Sequence, residues 1–514
     1  MKKFLFLAFV AVLMMAAACN EPLDEAEENT LPTNEGEVTP KMSHRGNKEP
    51  IPYTIPNMKL ALAKLQNNGL SKSTLSDADI RPTHVYLKFF PSNMDELIML
   101  KSDHVLDVVP VPYDCDLEGF DGNYHDPEVP ADKPTYYYSV VEVGHPLPNV
   151  RVEVLDSLFM PDLVESNSLS KRHSKVLSIW PELECEAIRL SGFDTTYTIE
   201  DNRSLSKRYK PSGEVASYDN IVERYDVNKN YLFPVPNVRV HANFSTHKSN
   251  GYTDISGHYE VDGHYTNKVH THVYFESKNY GIYEDDSQEV AAYYYGRNRA
   301  SGIAIQFKQD NEYKVKCSAV ARAAYWCYNW RRKLSTPTCT MIRIYINGSI
   351  QHPTQGTYDN SNKTATVYTQ KMKTKDVSGV TIAQLAQSML VNAMGVSAYN
   401  AASESLVESW GIGVSNILTR DLYRYYLTLY KFPNGNGMVY GFPFRSSIYT
   451  HFVSDLEDDD KSPGDNVSNI PIHVVEECII SARTLQQLCN NLKSRNPRQS
   501  KQLDELYSFW INYR

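Results

Sequence analysis

At 514 residues, with 41% hydrophobic and 22% charged side chains, the chain has the composition of soluble globular material. That length suits on the order of three domains of 100–200 residues. A net charge of -9 without a long basic block argues against a nucleic-acid partner.

The amino terminus carries an address. Lys2 and Lys3 precede an apolar run over 4–15, then Ala16-Ala17-Ala18-Cys19. A short cationic start, an apolar stretch too short for a stable span and small residues before a cut describe a secretory signal over 1–18. The cysteine after the small residues resembles a bacterial lipobox. That resemblance implies cleavage before Cys19, lipidation of its thiol and a membrane partner through the lipid; a plain secretory signal is the alternative. Residues 19–50 are acidic, proline-bearing and poor in large apolar groups, which predicts a disordered, solvated tether. Glu21, Asp24, Glu25, Glu27 and Glu28 resemble the surface-export signals of Bacteroidota lipoproteins. They imply an outer-membrane, lipid-anchored protein at the cell surface; a periplasm-facing anchor is the other reading.

Residues 51–230 read as a small α/β module with an irregular linker. A helix is predicted over 57–67, and a strand over 83–91 that stops at Pro91. Ser92 is placed to cap a helix over 93–101, with Asp95 and Glu96 favourable in its first turn, and 105–111 reads as a second strand. His125 and Asp126 fall in a turn-rich loop and read as non-functional. Tyrosine is abundant, with 36 copies and triplets at 136–138 and 293–295. It suits exposed strands first and sugar or protein contacts second.

Pro146-Leu-Pro-Asn-Val-Arg-Val152 recurs as Pro234-Val-Pro-Asn-Val-Arg-Val240, and only the second copy runs on into Asn250-Gly-Tyr-Thr-Asp-Ile-Ser-Gly-His-Tyr-Glu-Val261. The first copy therefore reads as a strand of the preceding module. The second is similar to a carboxypeptidase-regulatory-like domain, a transthyretin-type β-sandwich, expected over 231–288. Gly257 suits its turn, and Tyr259 and Val261 share one face of the next strand. His270 and His272, two apart on a strand, could share a cation, with His264 close in sequence; exposed strand histidines are the simpler account. Seven cysteines beyond Cys19 lack a disulfide framework or metal spacing, and Cys317 and Cys327 on one helix could not bond.

The stretch 298–332 ends in a helical pattern, a strand follows over 339–346, Asn347-Gly348 turns, and 363–369 alternates as another strand. Val380, Ile382, Leu385, Ala386, Met389, Leu390 and Ala393 then recur at helical spacing, predicting an amphipathic helix over 381–393 that Gly395 stops. A second helix is predicted over 405–429. Thr381-Ile-Ala-Gln-Leu-Ala-Gln387 and Glu408-Ser-Trp-Gly-Ile-Gly-Val414 resemble the paired helices of gluzincin-type zinc peptidases on Bacteroidota surface lipoproteins. There the first helix carries H-E-x-x-H and a glutamate on the next supplies the third ligand.

In this chain the resemblance puts Ala383 and Gln387 at the histidine positions and Gln384 at the general base. Only Glu408 is retained. Methyl and amide groups offer zinc little, and an amide cannot take a proton from water at neutral pH. The implied fold class is α+β multidomain: a small α/β module, a β-sandwich and a mainly helical zincin-like domain over 289–514. The implied function is a pseudoenzyme, with no catalytic residues, metal or cofactor, that binds peptide, protein or glycan. Other readings of the same residues are an ordinary core helix and a capping box, Ser405-x-x-Glu408. Other readings of the whole are an active hydrolase with an unrecognised site, or a structural part of a surface assembly.

The acidic stretch 455–460 misses EF-hand spacing and reads as a solvated loop. Final helices are predicted over 471–493 and 502–512, the latter packing Leu503, Leu506, Phe509 and Trp510.

Overall fold

Among the described residues, pairing begins at Asn47. In the computed structural model, the described residues are 47–68, 75–117, 123–163, 177–193, 209–221, 232–265, 267–284, 287–298, 301–329, 334–338, 341–348, 355–429, 451–457, 466–467 and 469–512. They belong to one unit, 40–514. The signal, Cys19 and most of the tether lie outside them. The last residues of the expected tether are mostly exposed but not disordered: β1 (Asn47–Lys48) pairs with β3 (Cys115–Asp116), and Glu49 sits 3.4 Å from His270.

Helix α1 (Ile55–Asn67) buries Met58, Ala61, Leu62 and Leu65, a stripe at helical spacing. Strand β2 (His84–Phe89) ends before Pro91, and α2 (Met94–Ser102) follows. Its cap is Asn93, whose side chain accepts from Glu96 N–H, while the Ser92 N–H donates to the Glu96 carboxylate. The expected Ser92 cap is thus off by one residue, and a reciprocal cap forms on Asn93 instead. The strand expected over 105–111 does not form. Asp103 accepts from the N–H groups of Val105 and Leu106, Asp107 turns to φ +48°, and only Val109 makes a bridge, to Tyr138.

The partners of β2 are β4 (Tyr137–Glu142) and β5 (Val152–Leu158), both antiparallel. The first repeat copy leads into β5, inside this module. Helix α3 (Trp180–Leu190) lies against α1; Tyr53 donates to Glu184, and Asn57 to the Ala187 carbonyl.

Two four-stranded sheets come next. In one, β6 (Ser212–Tyr218) pairs with β7 (Leu232–Pro234), β10 (His258–Glu260) and β14 (Ser301–Phe307). The other has the order β13 (Ala292–Asn298), β11 (Val269–Tyr274), β8 (Arg239–Phe244), β9 (His247–Tyr252). They meet through Phe307, whose ring lies 5.2 Å from Tyr293 and 5.6 Å from Phe275. These strands run from 212 to 307, wider at both ends than the expected 231–288. Gly257 takes the turn at φ +77°, and Tyr259 and Val261 are buried together. Strand β12 (Tyr280–Glu284), inside the expected sandwich span, leaves it to pair in parallel with β15 (Ile342–Asn347). A parallel pair needs a long crossover, and residues 285–341, with helix α4 (Glu312–Asn329), supply it.

That mixed sheet has the order β12, β15, β17 (Thr364–Tyr368), β16 (Gly356–Asp359); β16 is its antiparallel edge. Against it packs α5 (Thr374–Met394), one turn or more longer at its start than expected and buried on nearly every side. Gly395 ends α5 at φ +79°. Short α6 (Val396–Asn400) leads to α7 (Glu404–Leu429), which lies along α5. Helix α8 (Phe452–Asp455) packs on α7. The last predicted helix but one is two, α9 (Ile472–Ile479) and α10 (Leu485–Arg495), because Thr484 caps a fresh start by accepting from Gln487 N–H. In α11 (Ser500–Asn512), Leu503 and Leu506 are buried and Trp510 donates to Asp455. The whole is a mixed α+β multidomain fold. The acidic stretch 458–460 and most of the loop after α7 lie outside the described residues.

Candidate functional site

Two helices can approach closely only where small residues face each other, and α7 supplies Gly411 at that point. A methyl there would stand 3.1 Å from the Ala383 carbonyl and 3.4 Å from Gln387 Cγ. Trp410 closes the contact by donating its indole N–H to the Ala386 carbonyl at 3.0 Å, and Ser415 donates to the Gly379 carbonyl at 2.6 Å. The faces of α5 and α7 that carry the singled-out residues therefore converge.

Gln387 reaches across: its amide N–H donates to Glu408 Oε1 at 3.4 Å, and its carbonyl accepts from the Tyr399 hydroxyl at 3.2 Å. Glu408 is half-buried. Burial, with Glu404 nearby, raises its carboxyl above the usual range, and the Gln387 bond offsets only part of that. Ser403, not Ser405, stands before the first residue of α7, and the Glu408 side chain turns to α5 rather than back to its own helix start. The capping-box alternative is therefore not what forms.

Gln384 points the other way, toward edge strand β16. A methyl on Gly356 would meet its amide nitrogen at 2.9 Å, so the glycine makes room for the side chain. Gln384 is 3% exposed, and its Oε1 has no hydrogen-bond partner among the described residues. A buried carbonyl left unpaired costs about 1–3 kcal/mol, a feature that in native structures asks for a reason. Ala383 is buried against the Gly411 turn and contributes no donor or acceptor from its side chain. The groups that meet are one amide, a phenol and one carboxylate near the Ala383 turn, with the Gln384 amide on the other side of α5. They can hold amide or hydroxyl groups by hydrogen bonds; they offer a single anionic ligand to a cation. Among the described residues, no group of three or more His, Cys, Asp and Glu is placed to hold a metal ion.

The anchor beneath the site was not foreseen from sequence. Asp219, just after β6, accepts from Thr374 at the start of α5 (2.6 Å), Arg322 of α4 (2.9 Å) and Tyr423 of α7 (3.1 Å). Asp219 and Arg322 are 0% and 1% exposed, so the sandwich and three helices are pinned by one buried ion pair. The signal that could have found it is a lone arginine inside Ala319-Val-Ala-Arg-Ala-Ala324.

The other singled-out residues are packed, not displayed. His125 Nδ1 lies 3.1 Å from Glu289. His270 and His272 share a face of β11, as expected, but are buried rather than exposed; His272 stacks near His241 and Tyr294, and His264 stands apart on the surface. Cys317 and Cys327 share α4 as free thiols. No protein-family model matches the chain, and no curated protein or solved structure matches it either.

Proposed function

We propose that the chain is a non-catalytic cell-envelope lipoprotein, held at the outer membrane through lipidated Cys19 and facing outward, whose 289–514 region binds in a cleft inherited from a zinc peptidase. The bound partner is a peptide, protein or glycan segment. One observation carries this reading: Gln387 and Glu408 meet across α5 and α7, with Ala383 one turn back on α5 beside Gly411. The methyl and amide groups at Ala383 and Gln387 do not grip zinc firmly, and Gln384, aimed at β16, accepts no proton from water.

A hydrolytic reading draws on a different fact, the raised carboxyl of Glu408, because a carboxyl that keeps its proton can act as an acid. Metal analysis of the purified protein together with a general peptidase assay separates the two. The binding reading expects no stoichiometric zinc and no turnover. Turnover that Glu408→Ala abolishes would replace it with the hydrolase.

A further inference from the structure

We propose that the junction of the amino-terminal module, the sandwich and the β12–β15 sheet holds a second binding site, for a small ligand with a carboxylate beside an apolar group. A cavity of about 710 Å³ opens there, lined by α2 and the turn after it, by β8 and β9, and by β12 and β15. Its volume falls in the range of roughly 300–1,000 Å³ typical of small-molecule sites, which favour such junctions.

Its floor is a buried charge cluster. Arg239 bonds Asp107 at 2.9 Å and Glu276 at 2.8 Å, and Lys101 bonds Glu276 at 2.8 Å. Lys248 donates to the Leu106 and Asp107 carbonyls and lies 3.5 Å from the Asp107 carboxylate. Three cations thus face two carboxylates, all with side chains no more than 16% exposed. Burial tends to raise Asp107 and Glu276, but the surrounding cations outweigh it and hold both below the usual carboxylate range. Both carboxylates are therefore ionised at neutral pH and the basic groups outnumber them, with burial pulling the Lys248 ammonium down.

The donors for a further anion are present. Lys101, which lines the cavity, has three N–H groups and one acceptor among the described residues. Asp103, which lies 3.0 Å from His145, and Asp262 at the edge are equalled in number by Lys278 and Arg343, so basic groups outnumber acidic ones in the lining within a chain of net charge -9. The rim is apolar: Val105, Leu163, Tyr252 and Met341, among the most exposed large apolar side chains described, all line this cavity. Exposed apolar side chains gathered around a cationic floor fit a ligand with both characters.

The experiment titrates the full-length protein with N-acetylphenylalanine, with its carboxamide and with glucuronate, by calorimetry. The acid should bind saturably, and the carboxamide and glucuronate each about tenfold more weakly. Lys101→Gln should weaken the acid about tenfold; Val105→Glu, at a position 62% exposed and so without risk to folding, should do the same by repulsion. Equal binding of acid and carboxamide, no binding of any probe, or an unchanged acid affinity in Val105→Glu would overturn the proposal. Glucuronate binding better than the acid would overturn its apolar half.

Discussion

The two ends of the α5–α7 pair are built differently. At the Thr374 end, Asp219, Arg322, Thr374 and Tyr423 form short bonds among fully buried groups, with charge set against charge. Three to four turns on, Gln387 and Glu408 meet at 3.4 Å, Gln384 keeps an unpaired carbonyl and the Glu408 carboxyl is raised. The same two helices are held by a buried ion pair at one end and by a single long amide–carboxylate bond at the other.

Mutations can break this contrast from its strong side. Asp219→Ala leaves the Arg322 guanidinium buried without its carboxylate and should cost about 3–5 kcal/mol, read as a shift in the urea midpoint with unchanged slope. An effect below 1 kcal/mol would remove the anchor from the account.

Acid should act next, on the sandwich and module rather than on the helix pair. Burial lowers His241 and His84 to about 4, so both are neutral in the folded protein near pH 6. Their stabilising contribution is complete above the ordinary value of 6.5. As the pH falls from 6.5 toward 4, the unfolded chain takes up protons that the folded one refuses, and stability drops by up to ~3 kcal/mol for each histidine. Below that, Asp107 and Glu276, held low by their cations, extend the loss. His241→Gln should flatten the upper part of the pH profile; an unaltered slope would show that His241 is not the titrating group.

The smallest effect has the opposite sign. A carboxyl raised by burial disfavours the fold once it ionises, so Glu408→Gln should leave stability unchanged or raise it at pH 7, by on the order of 0.5 kcal/mol. A loss of several kcal/mol would make Glu408 a structural residue like Asp219 and dissolve the contrast.

What the sequence made legible follows from range. The periodicity over 381–393, the glycine stop at 395 and the second helix are local signals; the structure places the stop and the second helix within a residue or so, while the first helix starts seven residues earlier, at Thr374. The meeting of Gln387 and Glu408 is not written in any local pattern, because nothing local says that two helices align. The strand expected over 105–111 failed because a side-chain turn at Asp103 and a positive φ at Asp107 overrode β propensity. The sandwich limits failed because β6 and β14 join from outside the motif. Asp219 and Arg322 are 103 positions apart, and the junction cavity draws on segments separated by more than 200 residues; no pattern within a window reports either.

The central claim is that α5 and α7 still hold the geometry of a metal site whose donors have been replaced. Zinc content of Ala383→His/Gln384→Glu/Gln387→His, measured on protein whose folding is verified by its circular dichroism and thermal transition, tests it most directly. The account predicts one zinc per chain in the variant, lost again on adding Glu408→Ala. A folded variant that takes up no zinc would contradict it.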